Sequence, residues 1–143
     1  MPVTRHIGAE VRSEVRGFYE SVGYGGGVGD SDVVYIERRG DEIVGAARLC
    51  GEKGLLVLRG MYVAETLRGS GIGSRLLQAA DGEIGNRTCW CVSYRYLSRF
   101  YLAASFVECP ASEAPPFLAE RCGRYAEAGA DVLIMKRPAT AGD

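Results

Sequence analysis

A strand that leads through a glycine-rich loop directly into a helix constrains this chain more than any other feature. The segment reads LRGMYVAETLRGSGIGSRLL over residues 58–77, with apolar residues before the loop and a helical apolar repeat after it. Glycine lets backbone N–H groups come close to an anion, and the positive end of the helix dipole faces the same point. The segment is therefore predicted to bind phosphate groups.

Two familiar phosphate loops do not fit this segment. A P-loop has a Lys followed by Ser or Thr after its glycines, and no such pair follows here. A dinucleotide-binding βαβ unit has the pattern G-x-G-x-x-G, but Ser74 stands where the third glycine belongs. In addition, the strands before the loop are predicted to be joined as hairpins, which is not the connection of a βαβ unit.

Hydrophobic periodicity and turn residues divide the chain into alternating elements. The predicted helices span residues 7–22, 70–84, 96–104 and 117–128, and the predicted strands span residues 33–39, 42–50, 55–63, 88–94, 106–109 and 131–137. Turns are predicted at Gly40-Asp41 and around Gly51 and Gly54. Hairpins followed by helical crossovers predict an α/β (α+β) fold with one mixed sheet. The length of 143 residues predicts a single domain, residues 1–143.

Charge and composition exclude several classes of protein. The 17 basic and 18 acidic side chains leave a net charge of −1, whereas a general nucleic-acid binder needs a basic surplus. No apolar run approaches the roughly 20 residues of a membrane span, and no signal-peptide pattern opens the chain. We therefore expect a cytoplasmic protein that binds neither nucleic acid nor membrane.

Cysteine and histidine limit the chemistry further. The five cysteines form no C-x-x-C pair, so they are predicted to be reduced cytosolic thiols and not zinc ligands, and no metal is expected. His6 is the single histidine, so a Ser-His or Cys-His mechanism would have to use the N-terminus. The composition, rich in Arg, Gly and Ala, is typical of a GC-rich bacterial genome.

The spacing Arg68-x-x-Gly71-x-Gly73 resembles the acetyl-CoA signature, Q/R-x-x-G-x-G/A, of the GCN5-related N-acetyltransferase (GNAT) superfamily. Upstream, Met61-Tyr62-Val63 is similar to the fourth strand of that family. Downstream, Tyr101-x-x-x-Ser105-Phe106 resembles its Y-x-x-x-G-F element, with serine in place of the usual glycine. The element order is similar over nearly the whole chain. The resemblance implies a mostly antiparallel central sheet of about six to seven strands flanked by helices.

The resemblance also implies that acetyl-CoA is the co-substrate. Backbone amides of the loop and the first helical turn would bind the pyrophosphate. The main chain of the fourth strand would bind the pantetheine arm where that strand splays from the next, and a tyrosine stands where the family often has a CoA-contacting asparagine. The implied binding residues are Arg68, Gly69, Ser70, Gly71, Ile72, Gly73 and Ser74 in the loop, Met61, Tyr62 and Val63 in the strand, and Tyr94.

Acetyl transfer in the family is direct: an amine attacks the thioester and the CoA thiolate leaves. The ammonium form of the acceptor must first lose a proton, and the leaving sulfur needs a proton donor. Tyr101 stands where the family often places its general acid. The alternative role for Tyr101 is a buried core tyrosine beside Phe100 and Phe106, and Tyr94 and Tyr96 are neighbours that could substitute for it.

The sequence does not single out a general base. Many members of the family carry a glutamate on the fourth strand, but residues 55–61 contain no carboxylate. The candidates are Glu65, Glu20, Asp30, Asp32 and His6, and a water chain to bulk solvent is an equal alternative. The missing glutamate also keeps a second hypothesis open, a GNAT-fold CoA sensor without turnover.

Two expectations concern the first strand and the acceptor. The family's first strand would be short, within residues 2–6, or missing, and a bare sheet edge would favour a homodimer. The flexible loop Gly23–Asp32 would wall the site of the acceptor amine, whose identity the sequence does not specify. Asp30 and Asp32 would either attract a cationic amine or be merely solvated or turn-forming.

Overall fold

The computed structural model describes residues 2–140, which contain seven strands and four α-helices. The chain divides into two compact units, Met1–Gly85 and Asn86–Asp143, and the expected single domain stays a prediction. The first unit contains β1 (Val3–Ile7), α1 (Gly8–Ser21), β2 (Val33–Arg39), β3 (Glu42–Glu52), β4 (Leu55–Val63), a 3-10 helix (Glu65–Leu67) and α2 (Ile72–Ile84). The second unit contains β5 (Cys89–Tyr94), a 3-10 helix (Arg95–Leu97), α3 (Ser98–Leu102), β6 (Val107–Cys109), a 3-10 helix (Ala111–Glu113), α4 (Pro116–Glu127) and β7 (Val132–Arg137).

The four strands of the first unit lie in the order β1-β2-β3-β4, and each neighbouring pair is antiparallel. β3 is buried from Val44 to Cys50 because a helix covers each face of the sheet. On one face, Val11 and Val15 of α1 share a core cluster with Ala46. On the other face, α2 packs over β2 and β3. The expected mostly antiparallel sheet flanked by helices is confirmed.

The first strand, whose presence the sequence left open, is formed. β1 pairs with β2 from Val3 opposite Glu37 to Ile7 opposite Val33. A missing strand is therefore no longer a reason to expect a partner chain at this edge, and the homodimer stays a prediction without that support.

β4 contains a bulge that the alternation of its residues did not predict. The pairing passes from Ala46 opposite Tyr62 to Arg48 opposite Arg59, so β4 takes one more residue than β3 over this stretch. Gly60 lies inside the bulge with a φ of +64°, a conformation that glycine adopts at little cost. The bulge therefore turns the β4 backbone just before Met61.

The strands of the second unit lie in the order β5-β7-β6, again antiparallel. α4 packs on β7, and Leu118 of α4 is fully buried. Cys89, Trp90 and Cys91 of β5 are buried as well, as the apolar sequence of this strand predicts.

Several element bounds differ from the sequence prediction for local reasons. Gly51 is a strand residue and not a turn, because the turn is made by Lys53 and Gly54, whose φ values are +52° and +78°. The helix predicted for residues 96–104 is instead a 3-10 turn followed by α3, and the chain leaves α3 through Ser105 at a φ of +72°.

Within residues 2–140, no helix is long and apolar enough to cross a lipid bilayer. The same described residues contain no group of three or more His, Cys, Asp or Glu side chains that could hold a metal ion.

Candidate functional site

The glycine loop of the first unit leads into α2 as the sequence predicts. Gly69 and Gly71 have φ values of +82° and +88°, which favour glycine, and Gly71 is the N-cap of α2. α2 therefore begins at Ile72, two residues later than predicted. Its N-cap has no side chain to bond the first amides, so N–H groups of the first turn are left for an anion.

The side chains around the loop leave its outer surface open. Arg68 and Ser74 are exposed, and Ile72 is buried beneath the loop. Arg68 forms no ion pair with another residue of the described part of the chain, so its charge is not used in a salt bridge there. The Ser70 hydroxyl donates to the Leu67 carbonyl, which closes the turn that precedes the helix.

Arg75 in the first turn of α2 is held by Glu37 of β2. Arg75 Nε and Nη2 each lie 2.8 Å from one Glu37 carboxylate oxygen, a bidentate pair with the carboxylate almost fully buried. These hydrogen bonds from Arg75 hold the pKa of Glu37 below its usual value. The third nitrogen, Nη1, lies 3.2 Å from where a Cβ on Gly71 would be. A positive charge is thus fixed beside the helix N-terminus.

A small cleft of about 250 Å³ lies on the α1 side of the loop. Its lining residues come from the end of α1 and from the segment after β4: Ser21, Val22, Ala64, Glu65, Thr66 and Arg68. Glu65, one of the candidate bases, is exposed, and it is a carboxylate that lines this cleft.

Met61, Tyr62 and Val63 follow the bulge of β4. Tyr62 and Val63 pair with β3, and all three side chains are half-buried. The Tyr62 ring stacks on Tyr24, with the ring centroids 4.7 Å apart. The Gly60 carbonyl within the bulge accepts a 2.8 Å hydrogen bond from the Tyr19 hydroxyl. The backbone course at the bulge is thereby tied to α1.

In the second unit, Tyr94 ends β5 and stacks on Tyr96 at 5.6 Å between ring centroids. Tyr96 is 78% exposed. Tyr101 on α3 is buried, with its ring packed edge-on against Phe100 and Phe106. This packing matches the core role that was the alternative for Tyr101, so its role as general acid stays a proposal.

The candidate bases have different surroundings. Glu20 is exposed, and His6 Nε2 is within 2.7 Å of the Thr4 hydroxyl. Asp30 pairs with Arg12 of α1, and Asp32 pairs with Arg48 of β3. The expectation that these aspartates are solvated or turn-forming holds for Asp30, whose carboxylate is 78% exposed although it pairs with Arg12, whereas the Asp32 carboxylate is buried against Arg48. Asp32 does form a turn, since its Oδ2 accepts the Gly29 N–H at 2.8 Å.

The partner of Asp32, Arg48, is a residue that the sequence analysis missed. Its side chain is 3% exposed, and it reaches Asp32 and Tyr24 with one nitrogen each, at 2.9 Å. Burial works against its charge, but its polar neighbours, among them the Asp32 carboxylate that accepts its hydrogen bond, outweigh this and raise its pKa. An arginine in the middle of an otherwise apolar strand was the available signal, because a buried charge requires a partner.

Burial changes the acidity of the groups around Arg48. It raises the pKa of the Tyr19 phenol well above its usual value, so Tyr19 stays protonated and its hydroxyl donates the hydrogen bond to the Gly60 carbonyl. It also raises the pKa of the Cys50 thiol to about 12, although Arg48 opposes the shift. Neither group is poised as a base or nucleophile near neutral pH.

A scan against protein families matches residues 30–108 to the acetyltransferase (GNAT) domain. The matched range contains the hairpins, the glycine loop and Tyr101. No curated relative matches the sequence.

Solved structures share the fold at low sequence identity. An N-acetyltransferase candidate from Lactobacillus plantarum is 20% identical with a TM-score of 0.69, covering 98% of this chain and 100% of that one. An aminoglycoside 6'-N-acetyltransferase complexed with coenzyme A is 14% identical with a TM-score of 0.61, covering 100% and 99%. N-acetylglutamate synthase from Neisseria gonorrhoeae, complexed with coenzyme A and N-acetyl-glutamate, is 16% identical with a TM-score of 0.66; this chain covers only 35% of it.

Proposed function

The chain belongs to the GNAT acetyltransferase family, and from this premise we propose that it transfers the acetyl group of acetyl-CoA directly to a primary amine. One observation carries the proposal: the loop before α2 turns at two left-handed glycines and leaves the first amides of the helix without a side-chain cap. Such a helix start suits a pyrophosphate.

In this proposal the binding residues are those that the family resemblance implies. The amides of residues 68–74 bind the pyrophosphate, and the exposed Arg68 adds a positive charge. The backbone of Met61, Tyr62 and Val63, directed by the bulge at Gly60, binds the pantetheine arm and the thioester. Tyr94, with an exposed face at the end of β5, also contacts CoA.

The reaction exchanges one bond to the acetyl carbon for another. The neutral amine nitrogen forms a bond to the thioester carbonyl carbon, the carbon–sulfur bond breaks, and the electron pair leaves with sulfur. A proton leaves the nitrogen to water, and Tyr101 gives a proton to the sulfur and regains one from solvent. We assign the first proton to water, and the Asp32 carboxylate, which is held by the buried Arg48, takes no part in this step.

Incubation with acetyl-CoA and a panel of primary amines tests the proposal, with the acetylated product detected by mass spectrometry. We expect amine-dependent product, and a loss of about 10²-fold in kcat for Tyr101→Phe with the affinity for CoA unchanged. Tyr125→Phe, a tyrosine of α4 with 37% exposure, is the matched control and should retain full activity. Binding of CoA with no product from any amine would instead favour a sensor without turnover.

A further inference from the structure

Arg48 is a buried charge at the centre of β3 with no place in the proposed transfer reaction. The strand around it is buried from Val44 to Cys50, and the Arg48 side chain is almost completely hidden from solvent. Removing one partner of a buried ion pair is strongly unfavourable, so a charge at this place must be matched by specific neighbours.

The Arg48 guanidinium contacts a different residue with each of its nitrogens. Nη1 donates to Asp32 Oδ2 at 2.9 Å, Nη2 donates to the Tyr24 hydroxyl at 2.9 Å, and Nε donates to the Tyr19 hydroxyl at 3.3 Å. Nη1 is also 3.7 Å from Cys50 Sγ. The planar fork of arginine makes these contacts at once, which the single nitrogen of lysine does not.

Two of the contacts hold the glycine-rich loop that was expected to be flexible. Tyr24 lies near the start of the loop and Asp32 at its end, so the Arg48 guanidinium binds both ends of the loop. Between them, Val28 is buried in the α1 core cluster, and its carbonyl accepts a hydrogen bond from Arg12. The loop is therefore anchored on a buried ion pair.

The third contact leads to the bulge of β4. Tyr19 accepts from Arg48 and donates to the Gly60 carbonyl, and the Tyr24 ring packs edge-on against the Tyr19 ring at 4.7 Å. Arg48 thus joins the loop at Tyr24 and Asp32 to the strand backbone at Gly60, entirely within the first unit.

We propose that Arg48 is a positioning residue that sets the acceptor-side loop, residues 23–32, against the bulge of β4. The inference rests on the proposed function, in which this loop walls the acceptor site and β4 binds the thioester. Through Asp32 and Tyr24, Arg48 fixes where the acceptor is held. Through Tyr19 and Gly60, it fixes the backbone that presents the acetyl group.

Hydrogen–deuterium exchange on Arg48→Met tests the anchoring without requiring turnover. We expect exchange in peptides covering residues 24–32 to rise by about tenfold or more, because the charged hydrogen bonds that close the loop are lost. Peptides of β5 and β7 should exchange as in the wild type. Arg38→Met is the matched control, because Arg38 also pairs with a carboxylate, Glu14, but at an exposed site. Unchanged exchange over residues 24–32 in Arg48→Met would overturn the proposal.

Steady-state kinetics test the positioning role on an accepted amine. We expect Tyr24→Phe, which removes one hydroxyl and keeps the ring, to raise KM for the amine by about fivefold to tenfold while the Kd for CoA stays unchanged. Tyr19→Phe, which removes the bond to Gly60, should lower kcat more than it raises the KM for the amine. Arg48→Lys should show the same changes as Arg48→Met, because lysine cannot contact both the loop and Tyr19.

The outcomes separate the two proposals. If Arg48→Met does not fold, Tyr24→Phe decides. A raised amine KM together with faster loop exchange supports the inference, and the absence of both changes overturns it. If the wild type acetylates no amine, the proposed function fails, while the exchange experiment still supports or refutes the anchoring by Arg48. If all variants show the same lowered kcat, raised amine KM and lowered CoA affinity, Arg48 is merely structural and the inference is overturned.

Discussion

Ile72, the first residue of α2, lies directly over Gly45 of β3. A Cβ placed on Gly45 would be 2.6 Å from Ile72 Cγ2 and 3.0 Å from a methyl of Leu76. The close approach of helix and strand positions the start of α2, and with it the end of the glycine loop. The absence of a side chain at Gly45 is thus a condition for the proposed pyrophosphate site.

Gly45→Ala is expected to push α2 away from the sheet. The overpacking should lower the free energy of unfolding by about 1–3 kcal/mol, and CoA affinity should fall with it. Gly51→Ala in the same strand is the control, since a Cβ there would meet nothing within 4 Å. Urea unfolding and calorimetric titration with CoA measure both effects, and equal behaviour of the two variants would contradict the packing argument.

Gly71→Glu is expected to abolish CoA binding. It places a Cβ on a left-handed residue and a carboxylate where the phosphates are proposed to lie, and we expect at least a 10²-fold rise in the Kd for CoA. Gly82→Glu introduces the same charge on α2 at an exposed position with open space around it, so it should bind CoA as the wild type does. Unchanged affinity in Gly71→Glu would refute the assignment of the loop.

The pair between Glu37 and Arg75 predicts a pH-dependent stability. Because the hydrogen bonds from Arg75 lower the pKa of Glu37, its contribution is present above the ordinary carboxyl pKa of about 4.3 and disappears as the pH falls through the lowered value. Urea unfolding of Glu37→Gln should therefore differ most from the wild type near pH 7 and least near pH 3.

Glu14→Gln is the control for this pH series. Glu14 pairs with Arg38, which likewise lowers its pKa, but its side chain is 53% exposed, so the loss should be smaller at every pH. A Glu37→Gln curve parallel to the wild type from pH 7 to pH 3 would show that the carboxylate is not coupled to stability.

The five free cysteines are predicted to react with Ellman's reagent in two groups. Cys50, Cys89 and Cys91 are buried, and burial raises the pKa of Cys50 and of Cys91. Cys109 and Cys122 are half-buried, and burial raises the pKa of Cys122, so Cys109 should react first. We expect two thiols to react in the native protein and five after denaturation. Fast reaction of a third thiol in the native protein would contradict the packing of β3 or β5.

The alternation of apolar residues and the turn residues between them predicted the bounds of several strands. The bounds of β2 and β4 agree with the structure because both strands are flanked by residues that end strands, such as Gly40 and Gly54. The start of α2 was predicted two residues early because Gly71 takes a left-handed conformation. Glycine adopts positive and negative φ alike, so its presence in the sequence does not specify which one occurs.

The features that the sequence did not predict depend on contacts between distant residues. Arg48 and Asp32 are 16 positions apart, and their pairing arises only when the β2–β3 hairpin brings the end of the loop beside β3. The bulge at Gly60 requires the partner strand to be defined. The pairing of Asp30 with Arg12 likewise requires α1 to lie against the loop. The exposure of Asp30 and the turn at Asp32 agree with the expectation from the local sequence, whereas the arginine partner of each aspartate depends on the tertiary structure.

Two positions within the anchored loop, Gly25 and Gly27, have open space around them, which matters for evolution. Gly25 and Gly27 have no positive φ, and a side chain at either would meet nothing within 4 Å, whereas a Cβ on Gly26 would collide with the Tyr24 ring. Gly25 and Gly27 are therefore dispensable for folding, and a library randomised at these two codons should yield folded variants at high frequency. If the loop walls the acceptor site, natural drift at positions 25 and 27 is a route by which one scaffold acquires a new amine preference at little cost in stability.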